Sequence, residues 1–292
     1  MNPLFSYPLA FSRNLGWVSV EEQEMLRQKT ISIAGLGGVG GAHLLTLTRL
    51  GVGRFRIADF DRFELVNFNR QAGALMSTLD EPKAQVLARM ARDINPELEI
   101  EIFDRGVEAR NLERFLVGAD VYVDGLDFFA FDARQATFAA CAKFQVPAVT
   151  AAPLGMGTAV LTFLPDGMSF EDYFQWGTAS EEEKALRFMI GLAPRLLHDY
   201  LVDSSFLDLA ARRGPSTVMG CQLCAGVAAT EVLKILLHRG VVHSAPHGVQ
   251  FDPYRNKLVK TWRPWGNRNP IQRLMLAVAR HRLAKMREGL LT

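Results

Sequence analysis

From Thr30 onward, short apolar runs alternate with glycine-rich breaks and with longer stretches whose apolar residues recur every three or four positions. Ile31, Ile33 and Ala34 make a β-branched run, and glycines at 35, 37, 38 and 40 interrupt it. Ala42, Leu44, Leu45, Leu47 and Leu50 then predict a helix buried along one face. That helix stops at Gly51 and Gly53. Phe55 and Ile57 lead into a second strand that ends at Asp59 and Asp61, and a further helix is expected from Lys83 to about Asp93, on the spacing of Ala84, Val86, Leu87, Met90 and Ala91. Strands follow at 99–103, 120–124 and 147–150, separated by a helix near 108–117 and another around Thr137–Lys143.

Strand and helix in strict alternation predict an α/β fold: a Rossmann-like, doubly wound, mostly parallel sheet. Antiparallel strands at 159–164 and a closing hairpin of 249–251 with 258–262 extend it. The chain divides into an N-terminal helical arm (1–29), a Rossmann-like region (30–164), a helical insert (165–214), the remainder of the same domain (215–262) and a basic C-terminal amphipathic helix (263–292). In the arm, Ser19 followed by Glu21 and Glu22 signals a capped helix start. The insert is expected to be helical from Glu181 through Leu201, covering the active site, binding a partner or adding core helices.

The chemistry starts at the first turn. Gly35, Gly37 and Gly40 satisfy G-x-G-x-x-G after a strand and at the opening of a helix, with Asp59 nineteen residues beyond Gly40 at the end of the next strand. Glycine there, with Gly38 beside it, lets backbone N–H groups and the positive end of a helix approach a phosphate, while the Asp59 carboxylate accepts from ribose hydroxyls. The pattern alone leaves NAD, FAD and ATP open. Arg70, eleven residues past Asp59, and Lys83, thirteen beyond that, tip the balance to ATP, because cations so placed reach a triphosphate lying across the strand ends. Asn67, in the same loop, is a further candidate for binding the nucleotide. Asp61 serves either magnesium or the loop backbone. The strand from Asp120 delivers Asp124 and Asp127 at its C-terminal end, and Asp127, at the tip, is the expected magnesium ligand. Arg134 on the following helix is either an anion clamp or a surface arginine.

The combination GLGGVG, IADFD, VNFNRQ, EPK and VDGLD resembles the ThiF, MoeB and HesA group within the ubiquitin-activating-enzyme-like adenylyltransferases, in register from about residue 13 to 163 and more loosely over 215–262. The resemblance implies Asp59 on the ribose, Arg70 and Lys83 on the ATP phosphates, Asp127 on magnesium, and Arg13 reaching the partner protomer's ATP across a homodimer. It also implies activation of a carboxylate, such as the C-terminus of a small ubiquitin-like protein or peptide, as an acyl-adenylate with release of pyrophosphate. The chain departs from the family pattern in two places. Phe128 stands where asparagine is common, and Cys221-Gln-Leu-Cys224 has no second cysteine pair, so no structural zinc is expected. The pair is either a site of lowered thiol pKa at a helix start, with a redox or thioester role, or small packing residues.

Composition narrows the rest. In 292 residues, 49% hydrophobic and 22% charged content supports an ordinary core. No uncharged apolar run reaches the length of a membrane span, no signal peptide is expected, and three cysteines point to a reducing cytoplasm. Residues 252–292 carry ten Lys or Arg against two acids, and the rest carries 23 against 29. The basic tail suits packing on a dimer partner better than contact with lipid, an acidic carrier or nucleic acid. Two rivals stand beside an adenylyltransferase: a nicotinamide or flavin oxidoreductase on the same glycine turn, and a non-catalytic dimeric scaffold.

Overall fold

A computed structural model describes residues 4–207, 212 and 214–287. The arm, insert and tail each extend beyond that set, at 1–3, at 208–211 with 213, and at 288–292. The arm holds α1 (Tyr7–Ala10) and α2 (Val20–Gln28). Ser19 caps α2: its hydroxyl accepts from the Glu22 N–H while the Glu22 carboxylate accepts from the Ser19 N–H. The arm is fastened to the body by the Tyr7 hydroxyl, which donates to Gly51 O at 2.5 Å, and by the fully buried Leu26.

The body then runs β1 (Thr30–Ala34), α3 (Gly38–Arg49), β2 (Arg54–Ala58), α4 (Lys83–Ile94), β3 (Glu99–Phe103), α5 (Leu112–Leu116), β4 (Val121–Asp124), α6 (Phe131–Lys143), β5 (Ala148–Leu154) and β6 (Gly157–Phe163). It continues with α7 (Phe170–Phe174), α8 (Glu181–Leu192), α9 (Val218–Leu236), β7 (His247–Asp252), β8 (Lys257–Trp262) and α10 (Pro270–Arg287). One eight-stranded sheet has the order β3-β2-β1-β4-β5-β6-β7-β8. The first five strands are parallel, with Ile31 opposite both Phe55 and Val121, and the last three pair antiparallel. The expected doubly wound sheet with an antiparallel extension is the observed fold.

Each face buries its own core. Leu44, Leu87 and Val232, from α3, α4 and α9, cover one face, and Phe115, Phe138, Phe174 and Phe188, from α5 to α8, cover the other. The insert therefore supplies core, since Phe170, Tyr173, Phe174, Trp176 and Phe188 are all buried. Its long helix ends at Leu192 instead of continuing to Leu201, because the residue before Pro194 is sterically kept out of the α region. The helix expected over 108–117 shortens to Leu112–Leu116, and β5 runs on to Leu154 to form a tight hairpin with β6.

α9 is long and apolar enough to cross a bilayer by length and composition, yet Cys224, Ala228, Val232 and Leu236 pack against α3 and the sheet. In α10, Leu276 and Gln272 face inward, with Gln272 Nε2 donating to Ile190 O at 3.0 Å, while Ile271, Leu274 and Val278 are exposed on the single chain.

Two glycine substitutions separate backbone crowding from helix propensity. A Cβ on Gly40 would lie 1.7 Å from Gly35 O, whereas one on Gly226, inside α9, would meet nothing within 4 Å. Gly40→Ala is expected to destabilise by about 1–3 kcal/mol or more, and Gly226→Ala to stabilise by about 0.5–1 kcal/mol. Chemical denaturation of the two variants measures both signs.

Candidate active site

The C-terminal ends of β1, β2 and β4 converge on the glycine turn. Gly35 has φ +79°, and a Cβ there would sit 2.3 Å from Gly125 O, so the turn presses directly on the loop after β4. Gly37 is the residue before α3, and no side chain caps that end, which leaves the first N–H groups of the helix open to an anion. Asp59 bridges the turn to its own loop: Oδ2 accepts from Leu36 N–H at 2.6 Å and Oδ1 from Asp61 N–H at 2.8 Å. Burial holds its carboxyl above the ordinary aspartate value, against the opposing pull of those two N–H donors and of the Lys83 charge.

Arg70 lies on the other side of the turn. A Cβ built on Gly38 would be 3.4 Å from Arg70 Cγ and 2.8 Å from Cys221 Sγ. Among the described residues the Arg70 guanidinium bonds only neutral acceptors, Val66 O at 3.1 Å and Asn69 Oδ1 at 2.9 Å, and pairs with no acid beside the helix N-terminus. Lys83, buried at the start of α4, pairs with Asp61 Oδ2 at 3.1 Å. A local acid thus accounts for a lysine at a helix start, and Asp61 spends its carboxylate on Lys83. Asn67 is buried with its Oδ1 accepting from Glu64 N–H at 3.0 Å, a loop-shaping role. Asp127 is exposed, and its Oδ1 accepts from Phe129 N–H at 2.9 Å. Arg13 is exposed in a one-turn helix of the arm and makes no side-chain contact with an acid among the described residues.

Three residues gain roles that periodicity and motif spacing did not assign. Gln71 is buried with Oε1 unpartnered, and its Nε2 lies 3.8 Å from where a Gly37 Cβ would be, so the carboxamide faces the glycine turn. Its position directly after Arg70 was the available signal. Arg134 is neither a clamp for a ligand nor a surface arginine. Its guanidinium is buried and donates to Asp124 Oδ2 at 2.8 Å, Leu126 O at 2.6 Å and Phe128 O at 3.2 Å, fixing the loop that carries Asp127. Asp124 also accepts from Thr150 Oγ1 at 2.9 Å. Phe188 of the insert lies under the same guanidinium, 4.7 Å away, and within 5.5 Å of the Phe128 ring.

The cysteines lie at the site without the reactivity a helix start can confer. Burial pushes the Cys221 and Cys224 thiols up, and Cys224 Sγ sits 3.1 Å from Thr158 Oγ1. Cys221 is the fourth residue of α9, inside its packed face, so desolvation outweighs the helix end. Among the described residues no group of three or more His, Cys, Asp or Glu is arranged to hold a metal ion. His43 is fully buried with both ring nitrogens unpartnered, and burial lowers its pKa to about 4.

The ThiF family model matches residues 11–274. The tRNA threonylcarbamoyladenosine dehydratase of Bacillus subtilis is 33% identical over 48% of this chain and 55% of its own length. The sulfur carrier protein ThiS adenylyltransferase of Escherichia coli is 30% identical over 51% of this chain and 58% of its own length. This chain thus spans about half the length of the curated relatives it matches. Among solved structures, Escherichia coli MccB with ATP superposes with a TM-score of 0.65 at 17% identity, covering 83% of this chain and 66% of that one, which is a likeness of fold.

Two measurements test the buried polar groups. Removing one partner of the Arg134–Asp124 pair leaves a buried charge, so Arg134→Ala should cost about 3–5 kcal/mol in denaturant unfolding. His43 has a folded pKa below its ordinary 6.5, so the unfolded chain binds the extra proton, and the stability it contributes is present above pH 6.5 and lost as pH falls towards about 4. His43→Leu should flatten that acid limb by about 3 kcal/mol, and an unchanged limb rejects this source for it.

Proposed function

The chain belongs to the ThiF family, and from that premise we propose that it is an ATP-dependent adenylyltransferase that activates a carboxylate. One observation carries the reading: the Arg70 side chain runs beside Gly38 at the uncapped N-terminus of α3, and its guanidinium pairs with no acid among the described residues, so two sources of positive potential adjoin. The α- and β-phosphates fit at Gly37 and Gly38, with the Gln71 amide beside them, and the ribose hydroxyls fit the Asp59 carboxylate at the end of β2. Lys83 lies behind Asp61 and exchanges that partner for phosphate oxygens as the nucleotide enters. Asp127, exposed in the loop after β4, is the residue that would hold a magnesium ion, for which one carboxylate suffices, and the ion would supply positive charge to the phosphates.

An acceptor carboxylate is already ionised and needs no general base. It attacks the α-phosphorus, pyrophosphate leaves, and catalysis consists of positioning and of offsetting the charge that develops on the phosphate oxygens. The acceptor we favour is the C-terminus of a small ubiquitin-like protein or peptide. The exposed Arg13 is available to a second protomer, and a homodimer in which it reaches the partner's nucleotide follows from the family resemblance. The oxidoreductase alternative shares the glycine turn and Asp59, but hydride transfer makes no use of Arg70.

Thermal-shift titration should show stabilisation by ATP with magnesium and none by NAD or FAD. ATP–pyrophosphate exchange with candidate acceptors should fall by roughly a hundredfold or more in Arg70→Ala. Exchange that survives the substitution intact, or a nicotinamide nucleotide as the preferred ligand, defeats the assignment.

A further inference from the structure

Nucleotide chemistry leaves the basic C-terminal region unused. After β8 the chain makes its one-turn helix at Gly266–Arg268, and α10 then lies across α8. Between these elements is a cleft of about 780 Å³ lined by Arg187, Arg268, Arg273, Arg280, Leu274 and Leu276, with Gln175, Asn267, Pro270 and Ala277 completing it. Among the described residues the acid seen paired with these arginines is Glu183, which accepts from Arg187 Nε at 2.6 Å and from Arg280 Nε and Nη2 at 2.9 and 2.6 Å. Arg268 and Arg273 are exposed and bind no side-chain partner among the described residues. Four guanidinium groups against one carboxylate is a local excess of positive charge that works against the compact state and attracts an anion.

We propose that this cleft docks an acidic segment of a polypeptide, one that presents closely spaced carboxylates and an apolar side chain. Every cation in the lining is arginine, whose planar fork pairs bidentately with carboxylates. The exposed stripe Ile271, Leu274, Val278 adjoins the charges, so the surface recognises charge and apolar contact together. Single-stranded nucleic acid would stack its bases on aromatic rings, and no aromatic side chain is among the described residues that line the cleft. A bilayer surface meets a protruding basic face, whereas these arginines line a concavity within the volume range of ligand pockets. α8 carries Arg187 into the cleft and the adjacent Phe188 under the loop that holds Asp127, so the docked segment and the nucleotide share one rigid element.

The test is a binding measurement without nucleotide, so its outcome is separate from that of the adenylation assays. Fluorescence anisotropy of the full chain with a short labelled peptide of Glu and Leu should show saturable binding that weakens as salt is raised. The double substitution Arg268→Glu with Arg273→Glu should weaken it by roughly tenfold or more, with an unchanged melting profile because both side chains are exposed. A Lys and Leu peptide should not bind. Equal affinity of variant and wild type, no binding of the acidic peptide at low salt, or tighter binding to single-stranded RNA or to phosphatidylserine vesicles than to the peptide would each overturn the assignment.

Discussion

The site depends on backbone touching backbone where β1 and β4 end. Gly35, Gly40 and Gly125 meet so closely that a Cβ on Gly125 would lie 2.4 Å from Gly35 O and 2.7 Å from Gly40 Cα. That contact brings the turn before α3 and the loop after β4 to one point, with the open helix N-terminus on one side and Asp127 on the other. Any side chain at these three positions would part the two strand ends and separate the glycine turn from the loop that carries Asp127. The parallel sheet supplies the convergence, since all its strands point their C-terminal ends the same way.

Holding that geometry requires a second layer, and the chain builds it from a buried ion pair. Arg134 ties Asp124 and two carbonyls of the following loop together, in a setting where the surrounding aromatic residues exclude water. Such a pair is costly to desolvate, and its gain is in fixing one arrangement. The helical insert enters here. Phe188 of α8 closes over the guanidinium and Phe128 packs on Phe188, so the insert contributes an aromatic cover to this loop. The site's loop and the insert are thereby parts of one packed unit.

Charge is divided by the same architecture. Around the glycine turn stand two cations of different standing, Arg70 with no acid among the described residues and Lys83 with Asp61, while the cleft between α8 and α10 gathers four arginines. The first arrangement suits a small, densely charged anion at a helix end. The second suits an extended one.

What the sequence determined by itself was whatever is local or periodic. The strand and helix order, the turn at Gly35–Gly40, the cap at Ser19 and the placement of Asp59 at a strand end were legible because each depends on spacing within one or two elements. The end of α8 at Leu192 was also written in the chain, in the proline that follows, although the apolar composition beyond it masks the signal. Only the tertiary structure decided what distant elements do to one another. It turned Arg134 inward, because Asp124 and the Phe128 loop close around it, and it set Gln71 against the glycine turn. Packing raised the Cys221 thiol where a helix start alone would lower it. It also turned Gln272 and Leu276 of α10 inward and left Ile271, Leu274 and Val278 exposed on the single chain. Periodicity shows which side of a helix is apolar, but its neighbours decide which side is buried, and burial is what sets the charge, reach and chemistry of a side chain.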